Sequence, residues 1–280
     1  MVLSACSTAP KDRTLVFDGI ENARELGGLV MQDGRTIREG VLVRSGELSK
    51  ASDADVALLK ERFALTDVFD FRFELERSRK PDREMEGVTN TWLSTLPQAF
   101  LAAFASGRAD STTVQSASLL EALASYAFHP QAQEMAQKLY PAIVTDTTSQ
   151  KRYGAFLRGV LEAKGGVLWH CSQGKDRCGW GSAFVLAALG AGRETIVEDF
   201  AQSNVSYEKA VEALSAQVVQ KGGGEPELAF IRAMVGVSVE NCERTLEMID
   251  AQYGSLPAYL EKALGFTAAE QQKMKEKYLK

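Results

Sequence analysis

The chain has 280 residues, long enough to bury a substantial core, and at 45% hydrophobic and 25% charged it has the composition of an ordinary globular protein. A net charge of −5 excludes a general nucleic-acid binder, so an anionic ligand must be drawn in by a local cluster of cations and not by the overall field. Four cysteines and two histidines fit neither a disulfide framework nor a paired zinc motif, so neither metal nor cofactor is expected, and uninterrupted apolar runs fall short of the ~20 residues that cross a bilayer.

Residues 1–13 read as a flexible tether. Within them Leu3-Ser4-Ala5-Cys6 resembles a bacterial lipobox, whose cysteine is lipidated. That would anchor the protein to a membrane through Cys6; the expected location is the cell envelope or the exterior, with the cytoplasm as the alternative. Residues 14–280 read as one domain.

Asp33-Gly34 lies between two short extended runs and predicts a hairpin turn. Val41-Leu42-Val43 predicts a strand ending at Arg44-Ser45-Gly46. Ser52 with Asp55 marks a helix start, and Val56, Leu59 and Phe63 line one face. Thr66 to Phe71 is strand-like and ends on Asp70 and Arg72. From about Phe100 to Ala163 the pattern is helical, and after Asp146 the residues Tyr153, Phe156, Leu157, Val160 and Leu161 share a face. Val167 to His170 is the next strand. Beyond Lys175 everything reads as helix, broken at Gly190-Ala191-Gly192, Gly222-Gly223-Gly224 and Gly254-Ser255-Leu256-Pro257, with a cap at Thr267 to Glu270. Strands interleaved with helices imply an α/β layer around a largely parallel sheet.

The chemistry concentrates in His170-Cys171-Ser172-Gln173-Gly174-Lys175-Asp176-Arg177, a loop between that last strand and an apolar helix. The loop's N–H groups and those of the first helical turn can converge on one anion, aided by the helix dipole. A cysteine there is readily deprotonated and becomes a nucleophile. Arg177 offers a planar fork for phosphate oxygens, Lys175 a second charge at the rim, and Gly174 the backbone freedom of a tight cradle. Asp176 and Asp70 are both candidates for the acid that protonates a leaving group. A nucleotide-binding Walker loop is excluded, because Trp169 and Asp176 stand where it requires glycine and a hydroxyl residue.

The stretch His170 to Gly179 resembles the Cys-x5-Arg loop of protein tyrosine phosphatases, in the Gly-Lys-Asp-Arg form of the atypical bacterial tyrosine/lipid phosphatases. Asn22-Ala23-Arg24-Glu25-Leu26-Gly27-Gly28, Arg44-Ser45-Gly46-Glu47-Leu48, Asp70-Phe71-Arg72, Asp199-Phe200 with Ser203-Asn204, and Tyr253-Gly254-Ser255 with Tyr259-Leu260 are similar to further motifs of that family, in the same order. The resemblance implies a three-layer fold with a small, mostly parallel central sheet, flanking helices and a helical lid insertion at about 97–145. It implies hydrolysis of phosphotyrosine, phosphoserine/threonine or phosphoinositides through a cysteinyl-phosphate. It makes Cys171 the nucleophile, Arg177 the phosphate clamp and Asp176 the suspected acid. Ser172, Gln173, Gly174, Lys175 and Cys178 become active-loop members, Asp70, Arg72 and Arg44 pocket-border residues, and His170 a loop-orienting residue. Position 178 is usually Ser or Thr in the motif, so Cys178 is a departure that suggests either slow intermediate breakdown or a disulfide partner for Cys171. A phosphate-binding pseudophosphatase and a rhodanese-like sulfurtransferase are the alternatives.

Overall fold

The computed structural model describes residues 13–95 and 119–280. The expected tether with Cys6, and residues 97–118 of the expected insertion, lie outside the described residues.

The described strands form one sheet in the order β1-β2-β5-β3-β4. They are β1 (Arg24–Glu25), β2 (Leu42–Ser45), β3 (Leu65–Asp70), β4 (Thr89–Trp92) and β5 (Gly166–His170). Only β1 runs antiparallel to its neighbour; the other pairings are parallel. Central β5 is buried along its whole length, which is why Gly166-Val167-Leu168-Trp169 is a continuous apolar run. Side chains alternate between the faces. Val43, Val68 and Leu168 meet Leu59 and Phe63 of helix α1 (Asp53–Phe63) on one side. Leu42, Phe69, Val167 and Trp169 join the larger core on the other.

The helices that follow are α2 (Glu74–Arg79), α3 (Leu119–Tyr126), α4 (Ala132–Thr145), α5 (Thr147–Glu162) and α6 (Asp176–Leu189). After them come α7 (Arg193–Ala201), α8 (Ser203–Gln220), α9 (Glu225–Val235), α10 (Val239–Tyr253), α11 (Leu256–Lys262) and α12 (Ala268–Tyr278). From Cys178 to Leu189 every residue of α6 is buried, which explains its lack of charge. A satellite cluster forms where Ala127 and Ala136 meet Leu214, Val218 and Phe230, so α3 and α4, from the expected insertion, pack on α8 and α9.

Local signals set the ends of these elements. The Ser52 and Thr267 hydroxyls and the acids three residues on form reciprocal capping boxes, and Asp146 caps α5. The expected turn at Asp33-Gly34 is present: Met31 N–H donates to Arg35 O at 2.8 Å and Ile37 N–H to Leu29 O at 3.0 Å around the bridge Val30 to Thr36, while Thr36 exchanges backbone bonds on its other side with the chain's last residue, Lys280. Two elements escaped the sequence reading, α2 and β4. Helix α2 buries none of its residues, and β4 is a polar edge strand whose Thr-Asn-Thr-Trp has no apolar alternation.

Candidate active site

Ser45, His170, Asp70 and Trp92 lie in register at the carboxyl ends of four parallel strands, the edge where open α/β sheets bind ligands. From that edge the chain leaves β5 at His170, turns through Cys171 to Lys175, and enters α6 at Asp176. Gly174 has φ +67°, and a Cβ there would come within 2.5 Å of the Ser45 carbonyl carbon, so the turn accepts only glycine.

The loop's carbonyls are held by the protein around it. Ser172 O accepts from Glu47 N–H at 3.2 Å. Gln173 O accepts from Asn22 Nδ2 at 3.0 Å and from the Tyr207 hydroxyl at 2.7 Å. One Arg44 nitrogen donates to both Gly174 O and Lys175 O, at 2.7 and 3.1 Å, and the Tyr153 hydroxyl donates to Arg177 O at 2.9 Å. In a trans peptide the N–H points opposite to the carbonyl. Fixing these carbonyls outward therefore turns the N–H groups of Gln173, Gly174, Lys175, Asp176 and Cys178 to the loop's inner side. That is a nest for an anion, at the positive end of α6.

Cys171 lies in this nest, 2% exposed. Burial alone would push its thiol up, but hydrogen bonds from the Cys178 thiol and N–H and the charge of Arg177 outweigh it and lower the pKa to about 5. Cys178 titrates the other way: burial and the neighbouring Cys171 hold it protonated, with its sulfur 3.6 Å from Ser45 O. The Arg177 guanidinium is braced by Glu76 of α2, which accepts from its two terminal nitrogens at 2.6 and 2.8 Å. Glu76 also accepts from the Ser172 hydroxyl and from Phe73 N–H. Although partial burial opposes its charge, the Glu76 carboxyl is held below its ordinary pKa by Arg177. A guanidinium has five N–H groups, so Arg177 keeps donors for an anion in the nest.

Asp176 opens α6 at the mouth of the nest. Its Oδ1 accepts from the Tyr140 hydroxyl at 2.8 Å, and its Oδ2 lies 3.8 Å from Lys175 Nζ.

The model of the "Tyrosine phosphatase family" matches residues 15–280. The chain belongs to that family. Over 264 residues it is 31% identical to the triple specificity protein phosphatase PtpB of Mycobacterium tuberculosis, covering 86% of this chain and 93% of that protein. Over 262 residues it is 29% identical to a protein of Cupriavidus necator assigned by name to the tyrosine-protein phosphatases, covering 91% and 86%.

The remaining sequence-selected residues of this phosphatase surround the loop from behind. Arg44 is wholly buried, donating to the loop carbonyls and to Asp199 Oδ2 at 2.7 Å. Asp199 is also bonded by Arg24 and Arg13, and although buried it is held far below its ordinary pKa by those three arginines. Arg24 in turn fixes Asn22 Oδ1 at 3.0 Å, so Asn22-Ala23-Arg24 and Asp199 form one support under Gln173 to Lys175.

Asp70 and Arg72 are also fully buried and pair through two contacts of 3.0 and 2.9 Å. Arg72 reaches Asp82 at 2.7 Å, and Asp82 faces His170 Nε2 at 3.1 Å. Burial opposes protonation of His170, but Asp82 and Asp70 outweigh it and raise its pKa. Among the described residues, Asp70, Asp82 and His170 are the side chains grouped as metal ligands would be, and the two carboxylates pair with the Arg72 guanidinium. Lys175 does not stand at the rim. Its Nζ caps the carboxyl end of α9, donating to Met234 O and, at 3.0 Å each, to Val235 O and Gly236 O. Burial lowers its pKa.

Sequence reading missed Glu76, Asp82, Tyr140 and Tyr207. Glu76 follows the Asp70-Phe71-Arg72 motif within one helical turn, a signal that was available. Asp82 sits in an irregular Pro81-Asp82-Arg83 stretch, and the two tyrosines look like helix-face packing residues.

Proposed function

We propose that this protein tyrosine phosphatase hydrolyses phosphomonoesters through a cysteinyl-phosphate, with Cys171 as nucleophile, Arg177 as phosphate clamp and Asp176 as proton donor. The observation that carries the reading is the coincidence of a depressed Cys171 thiol with a nest of inward-turned N–H groups closed by Arg177. The thiolate attacks phosphorus, and the ester P–O bond breaks as Asp176 gives its proton to the departing oxygen. Water then attacks the phosphocysteine and passes its proton to the Asp176 carboxylate. The S–P bond breaks, and thiolate and phosphate are released. Charge on the transferred group is met by the N–H groups and by Arg177, so catalysis is mostly positioning and electrostatic stabilisation.

Arg44 and Asp199 act by holding the loop's shape, and the Asp70, Arg72, Asp82 and His170 network by bracing the strand edge beneath it. The mycobacterial relative's name, a triple specificity protein phosphatase, supports a substrate range wider than one phosphorylated group; phosphotyrosine, phosphoserine/threonine and phosphoinositides are the classes proposed, from the sequence resemblance. The Leu3 to Cys6 pattern supports an envelope location with a lipid on Cys6.

The test is turnover of p-nitrophenyl phosphate, phosphopeptides and phosphoinositides by the full chain with chelator present, alongside Cys171→Ser. Turnover that survives the substitution, or that chelator abolishes, overturns the mechanism.

A further inference from the structure

We propose that Tyr140 is the positioning residue of the proton donor: its hydroxyl fixes Oδ1 of Asp176 and leaves Oδ2 as the oxygen that exchanges a proton with substrate. The inference rests on the reading of Asp176 as the acid.

Asp176 is the first residue of α6, and its side chain is 19% exposed. A carboxyl at a helix start can rotate into solvent, and nothing in its own helix prevents this. Tyr140 arrives from a different element, α4. Its ring lies edge-on to Trp180 and Phe200, with centroids 6.0 and 5.3 Å away, and the residue is 2% exposed. Ring position is therefore set by packing, independently of Asp176.

Direction of the hydrogen bond follows from the second partner. The phenol oxygen accepts from Ser238 N–H, so its own proton is directed to Asp176 Oδ1 at 2.8 Å. Burial, with the Asp176 charge beside it, keeps the phenol neutral well above its ordinary range, so it remains a donor throughout the range in which carboxyl groups titrate. Oδ1 thus always accepts, and in the acid form the proton resides on Oδ2. Lys175 cannot substitute as an anchor, because Nζ is 3.8 Å from Oδ2 and bonded to three carbonyls of α9. Cys171 and Tyr207 also feel the Asp176 charge. Neither anchors it: Cys171 lies in the nest and Tyr207 donates to Gln173 O. A phenylalanine would satisfy the aromatic packing equally well; the hydroxyl has no partner among the described residues besides Ser238 and Asp176.

The experiment measures kcat for a series of aryl phosphates with increasingly poor leaving groups, in the full chain, for wild type, Tyr140→Phe, Asp176→Asn and the double variant. A residue that positions the acid matters most where the leaving oxygen needs a proton. Tyr140→Phe should leave the most activated ester nearly unchanged and slow the least activated about 10-fold, the size of one charge-assisted hydrogen bond. Asp176→Asn should show the same dependence at about 100-fold or more. The double variant should be no slower than Asp176→Asn alone. The slope across esters is a ratio, so partial misfolding of Tyr140→Phe does not alter it. If that variant does not fold at all, 4-aminophenylalanine at position 140, which keeps an N–H donor, should retain the wild-type slope, and a changed slope there overturns the proposal.

A flat profile for Asp176→Asn would remove Asp176 as the acid. A steep Asp176→Asn profile with a flat Tyr140→Phe profile, or effects that multiply in the double variant, would leave the acid in place and overturn the role of Tyr140.

Discussion

The depressed Cys171 thiol makes a thermodynamic prediction that does not depend on activity. Folding lowers this group from 9.0 to about 5, a change of about four pH units worth about 1.4 kcal/mol each, so on the order of 5 kcal/mol in total. The sign follows from proton counting. Between the two values the unfolded chain holds a proton on Cys171 and the folded chain does not, so stability rises with pH. The contribution is complete above the unfolded value and is lost as pH falls through about 5. Cys171→Ser removes the titration, because a serine hydroxyl stays neutral throughout. Urea unfolding of both proteins should therefore give curves that diverge, the wild type gaining about 1.4 kcal/mol per pH unit over the variant between about pH 6 and pH 8. Iodoacetamide alkylation of the native enzyme should show a midpoint near 5. Parallel stability curves, or an alkylation midpoint at the ordinary thiol value, would refute the electrostatic account of the nest.

Three further outcomes follow from the same geometry. Glu76→Ala leaves the part-buried Arg177 guanidinium without its bidentate partner, so denaturant titration should show a loss of about 1–3 kcal/mol, and kcat should fall. Gly174→Ala places a Cβ 2.5 Å from the Ser45 carbonyl carbon at a φ of +67°. The loop must shift to accept it, and kcat/KM should fall on the order of 100-fold. Mild peroxide should oxidise the Cys171 thiolate to a sulfenic acid. The adjacent Cys178 thiol then displaces water and forms a disulfide that thiols reverse, detectable by peptide mass. Cys178→Ser should instead give irreversible sulfinic acid on Cys171, and sulfinic acid in the wild type would sink this expectation.

Much of this architecture is legible in the amino-acid sequence, for identifiable reasons. Val167 to His170 reads as a buried strand because both of its faces are covered, and the charge-free stretch after Arg177 reads as a helix because it runs through the core. The loop's chemistry was legible because Cys171, Gly174 and Arg177 lie within one turn of chain. Supports that come from distant segments were not. Asp199 lies far along the chain from Arg24 and Arg44 yet bonds both, and Glu76 sits on a helix too short and too polar to carry a periodic signal. Lys175 departs from its expected place at the rim for a related reason: sequence shows a lysine in an anion-binding loop but not the three carbonyls at the end of α9 that draw its side chain away.

That displacement bears on how an acidic protein holds an anion. Arg24 and Arg44 bond Asp199, Arg72 bonds Asp70 and Asp82, and Lys175 bonds carbonyls. Each of these cations is engaged with the protein's own acceptors, and Arg177 is the cation beside Cys171, itself paired with Glu76. The Cys171 thiolate is therefore held by the Cys178 thiol, by the Arg177 charge and by a peptide N–H, and the arginines behind the loop act by holding the carbonyls that orient its N–H groups. A loop built this way stabilises a small thiolate when empty and can transfer the same N–H groups to phosphate oxygens when substrate arrives. Surface lysines would hold either anion less selectively, because their flexible side chains follow charge and not shape.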